Sequence, residues 1–250
     1  MQLGWIVDAR DVEQIREFVA SREGDYLVQH RISRNVKGSR DPIDRSVIWR
    51  SLVACLLSSQ QRSGPRSAVT RFQNESPFPL TLERCRSQSS LASYTTACLT
   101  DFGGIRRART IGRELETNLG QLDDSLWKTV ESSIRRLLVP TEPGLEREVA
   151  VILRASLCGI GPKQARNLLQ SLGLTRYEIP LDSRITKWLN EFGFPVRLSA
   201  GALGDEDYYN FVSDGIQELC RASDVYPCVL DAAIFSSFDD GGWEAVGVIW

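Results

Sequence analysis

The run Leu157-Cys158-Gly159-Ile160-Gly161-Pro162-Lys163-Gln164-Ala165 limits what this chain can fold into more than any other stretch. Before it, Val149, Ile152, Leu153, Ser156 and Leu157 recur at helical spacing, and after it Ala165, Leu168, Leu169 and Leu172 do the same until Gly173. Two helices therefore meet across a turn of a few residues. Gly159 and Gly161 offer the backbone freedom of a tight reversal, and Pro162 suits the first turn of the second helix, where a missing N–H costs nothing. The second helix begins with bare N–H groups at the positive end of its dipole, and that combination favours a phosphate.

An amine stands at this helix start. Of 30 lysines and arginines, only Lys37, Lys128, Lys163 and Lys187 are lysine. A lysine can lose its proton when desolvated and then attack an electrophilic carbon, which a guanidinium cannot do. Nineteen positions further on lies Ile179-Pro180-Leu181-Asp182-Ser183-Arg184-Ile185. There Pro180 ends an extended connection, and Asp182 opens a helix carrying Ile185, Trp188 and Leu189 on one face. A nucleophile and a carboxylate are thus expected at two helix starts flanking one short crossover.

The Gly-Ile-Gly-Pro-Lys hairpin, the Leu181-Asp182-Ser183-Arg184 segment and their spacing resemble the helix-hairpin-helix DNA glycosylases, the superfamily of endonuclease III and the 8-oxoguanine DNA glycosylase/AP lyases. A weaker likeness extends to Leu56-Leu57-Ser58-Ser59-Gln60-Gln61 and to Phe102-Gly103-Gly104-Ile105-Arg106-Arg107-Ala108-Arg109, so that together residues 48 to 190 are covered. A bare Gly-x-Gly turn also serves as a structural hairpin in unrelated nucleic-acid proteins; the lysine and aspartate separate the two readings.

The resemblance implies an all-α fold. A helical barrel over residues 47–180 ends in the hairpin at about 149–172, and a second lobe is built from 1–46 together with 181–250, with a DNA cleft between the lobes. It implies double-stranded DNA carrying a damaged or modified base as partner, and a monomer. Lys163 would attack the sugar carbon bearing an extruded base, and the resulting Schiff base would allow elimination of the 3′ phosphate; monofunctional members lack this lysine. Asp182 would accept the lysine proton or stabilise positive charge on the opening sugar. Gly159, Gly161 and Gln164 would hold the DNA backbone. Gln60, or else Gln61 or Arg62, would fill the gap left by the extruded base, although polar residues at a helix end are by themselves ordinary surface. No cofactor is implied as required; a monovalent cation at the hairpin is an option.

Six cysteines, at 55, 85, 98, 158, 220 and 228, include no Cys-x-x-Cys pair, and His30 is the single histidine. Zinc and a histidine-based triad are disfavoured, and with only Cys220 and Cys228 near the C-terminus no iron–sulfur cluster is expected. Together with the form of the hairpin, this favours the 8-oxoguanine branch. Alternatives are a glycosylase for an oxidised pyrimidine or for a modified base of foreign DNA, and a structure-specific DNA-binding module without catalysis.

A formal charge of −2 looks wrong for a DNA-binding chain. Its distribution reverses that impression: residues 201–250 hold ten acids against Arg221 alone, a balance of −9, so the first 200 residues carry +7. The acidic tail is expected to face away from DNA. With 42% hydrophobic residues a real core is expected, and no apolar run is long enough to span a membrane. Met1 to Arg10 lacks the pattern of a secretory signal, so cytoplasmic residence, at the nucleoid if bacterial, is the expectation.

Along the chain, residues 8–22 read as an amphipathic helix capped by Asp8, and Tyr26 to Asp44 as a basic loop. A helix from Asp44 buries Val47, Ile48, Leu52, Val53, Leu56 and Leu57. Further helices are predicted at 66–72, 80–86, 91–99, 106–119, 123–138, 208–222 and 228–238, and no strand pattern is sustained. Phe235, Phe238 and Trp243 are expected to pack the core or to line a base-stacking pocket.

Overall fold

The computed structural model describes residues 4–139 and 141–238, which form thirteen α-helices and no strand. The chain opens with α1 (Ala9–Ala20) and α2 (Tyr26–Arg31). Next come α3 (Arg45–Leu57), α4 (Ala68–Gln73), α5 (Leu82–Arg86), α6 (Leu91–Phe102), α7 (Ala108–Gln121) and α8 (Trp127–Arg135). The hairpin is α9 (Pro143–Ser156) and α10 (Pro162–Ser171), and α11 (Ser183–Phe192), α12 (Glu206–Ser223) and α13 (Pro227–Ser237) follow it. Among the described residues no helix is long and apolar enough to cross a membrane.

Most helix starts are written in short polar residues. Asp8, Asp44, Ser67, Thr81, Ser90, Asp182 and Asp205 each accept a backbone N–H of the following first turn. Such a cap contributes about 1 kcal/mol and fixes where the helix begins. Among the described residues, α3 runs through the middle of the molecule, packed on α5, α7 and α10. From Ile48 to Leu57 only Arg50 is exposed, so this helix is buried nearly all round rather than on the one face its spacing suggests. Trp49 is fully buried and donates its indole N–H to the Leu80 carbonyl at 3.0 Å. The chain ends meet: α1 packs on α12 and α13, and α2 on α13.

Of the stretch Tyr26 to Asp44, expected to be a basic loop, residues 37–44 are irregular while residues 26–36 are helical and clamp the interior. After α2, a π-helical turn covers Ile32–Val36. Arg34 donates to the Ser171 carbonyl at 2.7 Å, and Asn35 Nδ2 donates to the Thr175 carbonyl at 2.9 Å. In return Arg176 donates to the carbonyls of Asn35 and Val36. These polar side chains satisfy the carbonyls where α10 ends, which is why a segment rich in arginine and asparagine sits inside the protein.

The turn after α10 is fixed by Glu146, which is fully buried. Its carboxylate accepts the N–H groups of Arg176, Tyr177 and Glu178, each at 2.9 Å, and the Thr141 hydroxyl at 2.8 Å. Burial pushes this carboxyl up against the four bonds that pull it down. Glu146→Gln turns an NH₂ group toward donors, so it should destabilise by about 2–6 kcal/mol, from roughly two orphaned donors at about 1–3 each. Urea unfolding with an unchanged slope measures this; a loss under about 0.5 kcal/mol would show that the carboxylate is not the anchor.

Candidate active site

The start of α10 is a bare helix end. Gly161 is its N-cap and has no side chain to cap with, and Pro162 occupies the first turn. The hairpin reversal is made by Gly159, whose φ of +78° lies in the left-handed region and whose added Cβ would come within 2.8 Å of Leu56 and 2.7 Å of Glu114. Gly161 differs from expectation here: its backbone is extended, at φ −89° and ψ −176°, a conformation open to any residue. A Cβ there would meet nothing within 4 Å, so Gly161 leaves room on the side of the open cleft it lines.

That cleft has a volume of about 1650 Å³. Lys163, half-buried, and Asp182 both line it, as do Gly159, Gly161, Gln60, Gln61 and Arg62. Among the described residues its charged lining is one-sided: Arg62, Arg66, Arg106, Arg107, Lys163 and Arg184 against Asp182 alone. No acid after residue 200 lines it among the described residues. Glu206 pairs with Arg154 and Arg166, and Asp214 with Arg147. One tail acid departs from expectation, because Asp231 is buried in a smaller cavity behind Lys163.

Asp182 caps α11 with one oxygen. Oδ1 accepts from the N–H groups of Arg184 at 2.8 Å and Ile185 at 3.0 Å, while Oδ2 lies 3.9 Å from Arg184 Nη1, beyond hydrogen-bond reach. The loop that carries Asp182 is held from below. Tyr209, fully buried, donates its hydroxyl to the Ile179 carbonyl and accepts the Leu181 N–H, both at 2.7 Å. Arg166, also fully buried, lies over the Tyr209 ring and pairs with Glu178 at 2.9 Å and Glu206 at 2.7 Å. Its Nη1 also reaches the Pro162 carbonyl at 3.4 Å. One buried guanidinium thus joins the Lys163 helix start to the Asp182 loop.

Gln60 and Gln61 differ sharply. Gln61 donates Nε2 to the Leu57 carbonyl and accepts the Arg106 N–H at 2.8 Å, so it ties two cleft loops together. Gln60 is exposed, with a left-handed backbone at φ +59°. Arg107, at φ +61°, also lines the cleft, so two of the three described non-glycine residues with such backbones stand at this site. That conformation costs on the order of 1 kcal/mol and persists where the surroundings fix it.

Gln164, expected to hold DNA, lines the cleft, with its amide bonded to α3. It is buried, and its Nε2 donates to the Cys55 carbonyl and to the Ser59 hydroxyl, while its Oε1 is 3.4 Å from Lys163 Nζ. It braces the lysine helix on α3. Of the three aromatics, Phe235 lines the smaller cavity with the Arg184 guanidinium 3.9 Å over its ring, and Phe238 lines the cleft; Trp243 lies outside the described residues. At the hairpin the carbonyls of Leu157, Cys158 and Gly161 accept hydrogen bonds, and Glu114, the carboxylate beneath Gly159, is paired with Arg107.

No family model matches this chain, and no curated protein matches its sequence. The fold is nevertheless that of a helix-hairpin-helix DNA glycosylase. The chain is similar to a solved structure, the 8-oxoguanine DNA glycosylase of Methanocaldococcus jannaschii, with a TM-score of 0.62 over 91% of this chain and 92% of that one, at 15% identity. At that identity the likeness is one of fold.

Tyr209→Phe isolates the support under Asp182. It leaves the buried Leu181 N–H without an acceptor, at a cost of about 1–3 kcal/mol. The Leu181 amide should exchange with solvent at least about tenfold faster by NMR, since its protection depends on that bond. Unchanged protection would mean that packing alone holds the loop.

Proposed function

We propose that this protein is a bifunctional DNA glycosylase/AP lyase that acts on an extruded base in duplex DNA, with 8-oxoguanine as its target. One observation carries the reading: an amine and a carboxylate stand at two helix starts within a cleft whose other charges are, among the described residues, all basic. A basic cleft draws the phosphate backbone, and the bare start of α10 supplies N–H groups to one phosphate of it. A base inside the stack is out of reach of Lys163, so the nucleotide must leave the helix. Exposed Gln60 is suited to fill the gap, because its amide donates and accepts and so bonds either base edge. This interaction with DNA needs no membrane and no second copy of the chain.

The chemistry then follows from the two side chains. Lys163 Nζ, having given up a proton, attacks C1′ and the bond from C1′ to the base breaks, the electron pair leaving with the base, which is then protonated. Ring opening turns the adduct into an imine between Nζ and C1′. Loss of a proton from C2′ expels the 3′ phosphate and nicks the strand. Asp182 has one oxygen committed to capping and Oδ2 in reserve, which suits it to take the lysine proton or to oppose positive charge on the sugar. The reading routes no step through a metal, a cluster or a cation.

Lys163→Gln should abolish base release and strand nicking while duplex affinity stays within about threefold, since the change removes the nucleophile and one of several basic contacts. Retained nicking of an abasic duplex would overturn the assignment. Asp182→Asn keeps the cap, as asparagine caps about as well as aspartate, so thermal stability should hold. Turnover should nevertheless fall by at least about 100-fold, the scale of lost general-base catalysis. Turnover within about threefold of the wild type would leave Asp182 a purely structural residue.

A further inference from the structure

Behind Lys163 lies the smaller cavity, of about 30 Å³, with Lys163 and Asp182 also among its lining residues. Its wall is charged and incompletely paired. Arg31 and Asp231 are each 3% exposed, and Arg31 Nη1 stands 3.6 Å from Asp231 Oδ2, too far for a hydrogen bond. Arg31 Nε and Nη1 make no hydrogen bond among the described residues. Gln170 donates Nε2 to Asp231 Oδ2 at 2.7 Å, which fixes the orientation of its amide and leaves buried Oε1 without a donor. Arg31 comes from α2 and Gln170 from α10, so two helices bring unpaired polar atoms to one place, where they meet Asp231 of α13.

Such orphans are expensive, at about 1–3 kcal/mol each, and native folds keep them where water or a ligand completes them. Burial also pushes the Asp231 carboxyl up to about 6, with Arg31 and Lys163 pulling it back down, so the fold keeps this charge against a desolvation cost. The cavity as it stands holds about one water molecule. The orphaned set is two guanidinium N–H donors beside one amide oxygen acceptor, next to a carboxylate.

We propose that the Arg31–Gln170–Asp231 wall reads the extruded base, and that it selects bases with a lactam edge, a ring N–H beside a carbonyl oxygen. The proposal rests on the glycosylase reading of Lys163 and Asp182. The carbonyl accepts from Arg31, and the adjacent N–H donates to Gln170 Oε1 or to the Asp231 carboxylate. A guanine-type base adds an amino group as a second donor to Asp231. An adenine- or cytosine-type edge is rejected, because it sets an amino group against Arg31 and a ring nitrogen lone pair against an acceptor. A site built for hydrogen bonds discriminates strongly in this way, since a mismatched base leaves buried groups unpaired. Admission of a base displaces half-buried Phe235 from the wall.

Two measurements on the full chain test this. The wild type is given duplexes carrying single 8-oxoguanine, hypoxanthine, uracil, N6-methyladenine or 5-methylcytosine. At least one of the three lactam bases should be released at least about tenfold faster than either amino base. Equal rates or the reverse preference overturn the proposal. Asp231→Asn should then lower release of the preferred base by at least about 100-fold while nicking of a preformed abasic duplex, and borohydride trapping on it, stay within about threefold. Base release within threefold of the wild type, or parallel loss of abasic nicking, overturns the reading role of Asp231. A wild type that neither nicks nor traps on abasic DNA sinks the glycosylase reading itself, and this proposal with it.

Discussion

The arrangement depends on a buried guanidinium. Arg166 is fully enclosed and contacts Glu178, Glu206, Asn210, the Pro162 carbonyl and the face of Tyr209. Burying such a charge gains little net stability even when it is well paired, whereas removing one partner costs about 3–5 kcal/mol. What it supplies is register. Arg166 lies one turn below Lys163 on α10, and through Glu178 and Tyr209 it grips the strip of chain that ends in Asp182. The separation of amine and carboxylate is thereby set by a rigid interior rather than by surface loops, as a catalytic pair requires.

Around that pair the protein sorts its charges. The chain is acidic overall, yet among the described residues six basic side chains and one acid face the cleft. The sorting is done by pairing: acids of α12 are tied to arginines of α9 and α10, away from the cleft. Asp231 is the exception. It stays behind the lysine, against Arg31, where a carboxylate repels DNA least and meets only what enters the cavity.

Much of this was legible because it is local. Hairpin, capping residues and the spacing from Lys163 to Asp182 are all properties of short windows, and the helix order follows from the 3.6 period with boundaries moved by a few residues. Within Tyr26 to Asp44 the loop reading holds from Lys37 on but misses the helical part 26–36, because Arg34 and Asn35 look solvated when they in fact satisfy carbonyls at the end of α10. The burial of Gln164 was not legible, because a polar residue at a helix start looks exposed until its bond to α3 is seen. The smaller cavity was missed since its wall joins residues 31, 170 and 231 across the whole chain. A signal did exist: Asp231 interrupts the apolar run Cys228 to Ile234, where an acid is out of place unless something pairs with it. Tyr209 left no such mark, since a tyrosine on an amphipathic helix is ordinary.

The claim on which the account stands is that the amine at the start of α10 forms the covalent bond to DNA. The direct measurement is a borohydride-reduced complex of the full chain with an abasic duplex, digested and mapped by mass spectrometry. The account predicts a single sugar adduct on the peptide that contains Lys163. An adduct on Lys37, Lys128, Lys187 or the terminal amine, or no adduct at all, would contradict it.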